Sequence, residues 1–379
     1  MNPFPASNTN HLFNALAAVV AGVALLGFAA SAPAATTVYA PAMIPAWTPK
    51  HGHEQPIVAI AGENGGTELT DFAIPYGVLK RAGIKTVALA AHEGPLRFRP
   101  ALKATLDATM AEFDTQHPEG ADYVIVPAMV NRKDPTVLAW IVDQARKGAT
   151  VVSICDGALV VGHAGLLKDK WATAHWASER LRLQEFPTTH WTRNMRYVAD
   201  GKIVSSAGIS AAMPTSLALV EAIAGKERAA ALAREIDVVD WTPRHDSEAF
   251  RPHFGNLGAF AVKMLVNPYL RSTQIVGVPL HDGMDEINLA IVADAYSRTG
   301  RSQAVSLAST IDPVASRYGL RFLPDVVGDT NAVDIVLPPL ADTAPGKVFD
   351  TTLASIRARY GRRTAYGVAL DFEYPGYTP

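Results

Sequence analysis

The chain has one cysteine, Cys155, and its sequence neighbours are those a nucleophile needs. It ends the apolar run ATVVSIC and is followed by Asp156, Gly157 and Ala158 and then by an apolar, helix-like stretch. A strand that stops at a cysteine and turns through small residues into a helix has the geometry of a nucleophile elbow, in which the tight turn lifts the side chain off the sheet edge. The N–H groups at the start of that helix would lie beside the sulfur and favour the thiolate, the reactive form of cysteine. The chemistry this implies is addition of sulfur to an electron-poor carbon, with the Asp156 N–H steadying the charge that develops. A cysteine ending a buried strand also suits a small core residue, so both readings stand at this level.

The elements that must position the thiol are legible from periodicity. PIVAIAG, the helix-like LTDFAIPYGVLKRAG and KTVALAA read as strand, helix and strand, the mark of βαβ units and a mainly parallel sheet. DYVIVP (122–127) and ATVVSIC are apolar on both faces, as central strands covered on both sides are. A helix from Pro135 to Lys147 stops at Gly148, RYVADGKIVSSAG reads as a strand pair, and a helix from Pro214 to Ala224 stops at Gly225. Residues 232–272 read as a connector with some helix.

From Ile275 the opening pattern returns. IVGVPLHDGMDEINLAIVADAYSRTGRSQAVSLAS lines up, with a one-residue gap, against IVAIAGENGGTELTDFAIPYGVLKRAGIKTVALAA; AVDIVLPPL echoes ADYVIVPAM; and TTLASIRARYG ends at Gly361 as the earlier helix ends at Gly148. The expected layout is therefore a first domain over 56–231, the connector, and a degenerate partial repeat over 273–379 that stops near AYGVALDF and has no cysteine. The general likeness of any two βαβ units is the alternative explanation.

The stretch from DYVIVP through GATVVSICDGALVVGHAGLLKDKWATAHW to RYVADGKIVSSAGISAAM resembles the ThiJ/PfpI family of the DJ-1 superfamily, a class I glutamine amidotransferase-like group. It is most similar to the branch with isonitrile hydratase and the amidase-like domains of transcription regulators. The resemblance covers about Pro56 to Ala231 and implies a flavodoxin-like sandwich with Cys155 at the elbow. It also implies that Asp71, in LTDFAIP, is the acidic partner of the cysteine, and that His175, in ATAHW, sits near the thiol. A carboxyl against a thiolate can be kept protonated by that charge and can then donate a proton. Asp71 also suits a helix N-terminus, His175 a satisfied structural histidine, and His163 packing. Many relatives carry Pro-Gly-Gly where this chain has Pro127-Ala128-Met129, so the oxyanion donors expected here are the N–H groups of Ala128 or Met129 with that of Asp156, and Gly157 lines the pocket. Asp156 stands where protease-like members place histidine, which disfavours a Cys-His dyad. Family members commonly dimerise, which implies a homodimer or an intrachain pseudo-dimer formed with the partial repeat.

Composition narrows the function class. The chain is 379 residues, 49% hydrophobic and 18% charged, with a net charge of −2, so no global basic field points to nucleic acid. Residues 1–35 combine a polar start, an apolar run from Leu12 to Ala30, and two small-x-small sites, so export with cleavage after Ala32 or Ala34 is expected. The n-region lacks Lys and Arg and the run is long, which leaves a single-span anchor at residues 12–30 as the alternative. HGHE (51–54) lacks a third metal ligand, and there is no Walker loop or dinucleotide fingerprint, so neither metal nor cofactor is expected. The expected function is that of an exported, cofactor-independent cysteine hydratase, lyase or hydrolase acting on a small electrophile; a non-catalytic ligand-binding or redox-sensing module is the alternative.

Overall fold

Alternation along each strand decides which face its side chains take, and here both faces are buried. Val58 and Ile60 belong to one hydrophobic cluster, while Ile57, Ala59 and Ala61 on the same strand belong to another. The computed structural model describes residues 43–49, 54–328 and 330–377. The N-terminal apolar run, its cleavage sites and both histidines of HGHE lie outside the described residues.

The main sheet has seven strands, in the spatial order Tyr197–Asp200, Ile203–Ser206, Thr150–Ser153, Tyr123–Val126, Ile57–Gly62, Lys85–Ala90 and Ala108–Thr109. All neighbours are parallel except the antiparallel pair formed by the first two. Helices cover both sides, so the fold is an α/β sandwich with a mainly parallel sheet, the flavodoxin-like arrangement expected. One face packs Met110, Phe113, Val137, Trp140 and Val160. The other packs helix Leu69–Arg81 and helix Ala212–Ala224, and its cluster continues without a break into Val276, Ile287, Phe349 and Phe372. The C-terminal third therefore shares its core with the first domain.

That third has its own parallel sheet, in the order Val326–Val327, Ser302–Ala308, Gln274–Pro279 and Ile335–Val336. The same sequence of places occurs in the main sheet at Ala108–Thr109, Lys85–Ala90, Ile57–Gly62 and Tyr123–Val126. Matching side-chain clamps recur as well. Asp122 accepts from the Ile57 N–H (2.9 Å) and Asp334 from the Ile275 N–H (2.7 Å), while Asp107 accepts from Ala88 (2.8 Å) and Asp325 from Ser306 (3.0 Å). The two regions differ after Gly361: where the first continues into a further strand and the cysteine, the second forms helix Arg362–Asp371. The connector is also more helical than its composition suggests, since helix Lys226–Glu235 runs across its expected start.

Helix Leu69–Arg81 packs directly on helix Glu286–Ser297, and each is buried nearly all round, with Lys80 and Ser297 outside the buried set. Gly77 allows the close approach: a Cβ there would lie 2.6 Å from Ile287 Cγ1. Both ends of the pair are tied by an Arg–carboxylate bridge. Arg298 reaches Glu68 (2.8 Å), and Arg81 reaches Asp285. Glu68 and Asp285 are also the N-caps of the two helices. A mixed sheet crosses the same boundary, with Phe322 paired antiparallel to Ala104.

Candidate active site

The elbow forms as the local sequence requires. Cys155 has φ 54°, a left-handed conformation that a non-glycine residue adopts only when its surroundings hold it there. Its N–H donates to Ser206 Oγ (3.1 Å), which anchors the turn to the neighbouring strand. Gly157 has no alternative, because a Cβ at that position would lie 1.9 Å from the Val126 carbonyl oxygen. Helix Gly157–His163 follows directly, and the sulfur-bearing residue is 5% exposed.

Burial changes the acid chemistry anticipated from the sequence. Desolvation, reinforced by the charges of Asp71, Asp156, Glu68 and Glu373, pushes the Cys155 thiol well above its usual range. These effects favour the thiol over the thiolate, against the pull expected of the helix terminus. Asp71 is fully buried, and desolvation pushes its carboxyl up to about 8 against the opposing pull of the Ala128 N–H. Asp71 is thus protonated at neutral pH, chiefly through burial and not through a thiolate beside it. Its Oδ2 accepts from the Ala128 N–H (3.1 Å), while its Oδ1 is buried without a hydrogen-bond partner.

Glu68 stands three residues earlier, and its side chain accepts from the Asp71 N–H as the helix cap. Desolvation, followed by the charges of Asp71 and Asp294, holds its carboxyl well above the usual range. The Thr70 hydroxyl lies 3.0 Å from Glu68 Oε1 and 2.9 Å from Asp294 Oδ2. A hydroxyl has one proton, so one of these two carboxyls must supply a second if both contacts are hydrogen bonds. The cluster's cation is Arg298, which bonds both Glu68 and Asp294 and lies 5.5 Å from the Phe372 ring centroid. Burial opposes its charge, but Asp294, Glu68 and Cys155 hold the guanidinium well above its ordinary value.

The other expected residues separate into two groups. Ala128 spends its N–H on Asp71, so it is not an oxyanion donor. Among the described residues the N–H groups of Met129 and Asp156 have no partner, and they remain available for that role. Both residues line a cavity of about 460 Å³ that also contains Glu68, Ala128, Arg99, Arg132 and Ser178; Gly157, expected in the lining, is not part of it, and neither are Cys155 and Asp71. His175 is not free to serve the thiol. Its Nε2 bonds the Asp371 carbonyl (2.8 Å) and its Nδ1 accepts from the Ala177 N–H (3.2 Å). Burial lowers its basicity, and it joins a structural chain with Glu373, whose Oε2 lies 2.7 Å from His245 Nε2. His163 pairs with Glu185 at 3.2 Å and packs on Phe186, a supporting role. Among the described residues no cluster of His, Cys, Asp and Glu could hold a metal ion, and no helix is long and apolar enough to cross a membrane.

Sequence reasoning missed Glu68, Arg298, Asp294 and Glu373. Glu68 left a signal as an acidic residue just before the helix and three before Asp71, a capping position. Arg298, Asp294 and Glu373 left none, because they arrive from the C-terminal third through tertiary packing.

Comparison with known proteins supplies the lineage of this arrangement. The DJ-1/PfpI family model matches residues 57–222. Isonitrile hydratase of Pseudomonas putida is 33% identical over 113 residues, 29% of this chain and 47% of that protein. Protein DJ-1 homolog B of Arabidopsis thaliana is 27% identical over 189 residues, 49% of this chain and 39% of the relative. The HTH-type transcriptional regulator CdhR of Pseudomonas aeruginosa is 27% identical over 114 residues, 30% of this chain and 34% of the regulator. The chain thus spans less than half the length of these curated relatives. Among solved structures, Drosophila melanogaster DJ-1beta aligns with TM-score 0.45 and 21% identity, covering 49% of this chain and all of that one. Residues 57–222 of this chain are a DJ-1/PfpI family domain.

Proposed function

We propose that the protein is a cofactor-independent cysteine enzyme that hydrates or hydrolyses a small molecule with a carbon–heteroatom multiple bond. The observation that carries this reading is the fully buried Asp71 carboxyl near an elbow cysteine, with its Oδ1 left without a partner among the described residues and its proton held by burial up to about 8. A buried acid with an unused oxygen is a proton donor waiting for an acceptor. Cys155 Sγ would bond to the electrophilic carbon while the π pair moves onto the heteroatom. The heteroatom, or the attacked terminal carbon in an isonitrile, takes a proton from Asp71, and the Glu68–Asp71 pair receives the proton that the thiol gives up. The net step adds S–H to the substrate; in hydration, water then replaces sulfur at carbon and restores the thiol, whereas in an amide the amine first leaves with the hydroxyl proton and water then releases the acid from the thioester and restores the thiol. The N–H groups of Met129 and Asp156 steady the charge during addition.

Screening isonitriles, 2-oxoaldehydes and small amides for turnover tests the proposal. Turnover that disappears in both Cys155→Ser and Asp71→Asn is expected. Saturable binding without turnover across the panel would point to the ligand-binding module of the regulator relatives, and conversion of Cys155 to its sulfinic acid by mild peroxide would point to redox sensing.

We further propose that 273–377 is a partial second copy of the first half and occupies the place of a partner subunit. Support comes from the shared strand order, the recurring Asp clamps and the reciprocal Arg81–Asp285 and Arg298–Glu68 bridges. A reciprocal exchange of equivalent contacts characterises a two-fold interface. A monomer in light scattering is expected; a dimer that buries helix Leu69–Arg81 against another copy would overturn it. Export with cleavage after Ala32 or Ala34 stands as a separate proposal, checked by N-terminal sequencing of the mature protein.

A further inference from the structure

We infer that the cavity beside Cys155 selects an anionic substrate, a small electrophile carrying a carboxylate or phosphate, and that Arg99 and Arg132 hold that group. The inference rests on the thiol-addition reading above and names the substrate class of the same site.

Two guanidiniums line the cavity without a charged partner. Arg99 and Arg132 form no ion pair or hydrogen bond through their side chains among the described residues, whereas Arg182 and Arg298 are paired with carboxylates. The cavity's own carboxylates do not quench them. Glu68 is committed to Arg298, Thr70 and the Asp71 N–H, and Asp156 lies within ion-pair distance of neither arginine.

Arg99 is held in place by its backbone. It ends strand Leu96–Arg99, which pairs in parallel with Thr67–Glu68, so that Arg99 is registered beside Glu68. Its stem lies against Gly66, where a Cβ would come 3.0 Å from Arg99 Cγ. Gly66 is itself tied to the opposite wall, since its carbonyl accepts from the Val130 N–H (2.8 Å). Arg132 enters from that wall, two residues before Asp134, which caps helix Pro135–Arg146. The two guanidiniums thus belong to separate, mutually braced segments that form the cavity's rim.

A planar guanidinium fork matches the paired oxygens of a carboxylate or phosphate, and unpaired cations around a cleft raise the local concentration of anions. Asp156 is part of the same lining, and its buried Oδ1 has no partner among the described residues. Asp156 in the lining adjoins Cys155 in the chain, so an anion held at the rim would bring the electrophilic carbon toward the elbow.

Two measurements test this, and they separate it from the reading on which it rests. The first is the ratio of the rates at which iodoacetate and iodoacetamide alkylate Cys155. At low salt the ratio should exceed that of a free thiol by about tenfold, since the reagents differ in charge, and should fall to the free-thiol value in Arg99→Gln/Arg132→Gln and in high salt. A wild-type ratio equal to that of a free thiol would overturn the inference. The second is calorimetric titration of glyoxylate, and separately of inorganic phosphate, into the Cys155→Ser protein, which needs no reactive thiol. Binding of either that is lost in the Arg99→Gln/Arg132→Gln background supports the inference, and the tighter of the two identifies the anion. Absence of binding by both would refute it, even if the thiol alkylates readily. Binding by an inert thiol's cavity would leave the anion site standing and remove the addition chemistry.

Discussion

Helix Leu69–Arg81 and helix Glu286–Ser297 begin with capping carboxylates, end with arginines that bond each other's caps, and follow strands with the same neighbours in their respective sheets. Their surroundings nevertheless differ. The Arg298–Glu68 bridge lies in the acid cluster beneath Cys155, whereas the Arg81–Asp285 bridge has no nucleophile beside it. The first region runs on to strand Thr150–Ser153 and the elbow; the second turns into helices Pro345–Tyr360 and Arg362–Asp371 and then delivers Glu373 back toward the first. The contrast teaches that a region without a nucleophile can still supply the charge that sets the nucleophile's environment.

The strongest way to break this comparison is to remove the second region. Its apolar residues share one continuous core with the first, so deleting everything after Ser272 should expose helix Leu69–Arg81 and yield insoluble protein or protein without a cooperative thermal transition. A soluble truncation with a sharp transition would show that the two regions are energetically separate.

The two bridges can then be compared directly. Arg81→Gln and Arg298→Gln each strand buried carboxylates, and each should cost about 3 kcal/mol in denaturant unfolding. Only Arg298→Gln should also slow alkylation of Cys155, because only Arg298 bears on the thiol. Equal effects of both on alkylation would mean that the bridges act through general loosening.

Gly77→Ala probes the helix contact between them. The added methyl meets Ile287 and should cost about 1–3 kcal/mol, with little change in the thiol's behaviour.

Two pH profiles give smaller but more local effects. Asp71 has a folded-state value of about 8 against an unfolded value of about 3.9, so the folded protein binds the extra proton between them. Stability should therefore fall as pH rises from about 4 through about 8, and Asp71→Asn should flatten that part of the profile in urea titrations. For Cys155, the iodoacetamide rate should climb with a midpoint above the free-cysteine value of about 8.5, because burial raises the thiol. A midpoint below that value would restore the helix terminus as the dominant influence.

Much of the first domain was legible before any coordinates. Its strands announced themselves as short apolar runs, its helices ended at Gly148 and Gly225, and the elbow was visible because Cys155, Asp156 and Gly157 adjoin in sequence. The site was legible only in part. Asp71 and Cys155 follow from motif and order, but the place of His175 in ATAHW points to the thiol while its ring nitrogens are taken by Asp371 and Ala177. Ala128 lines the cavity, but its N–H is spent on Asp71, a contact no local spacing reveals.

What the sequence by itself determined is local: where strands alternate, where helices stop, and which residue stands at the turn, since these depend on periodicity and backbone preference over a few positions. Tertiary structure alone decided the protonation and charge of the site. The values of Asp71, Glu68 and Cys155 depend on burial and on Arg298, Asp294 and Glu373, groups more than a hundred residues away. Desolvation and Coulomb interaction act through space, and no spacing along the chain encodes the distances that govern them.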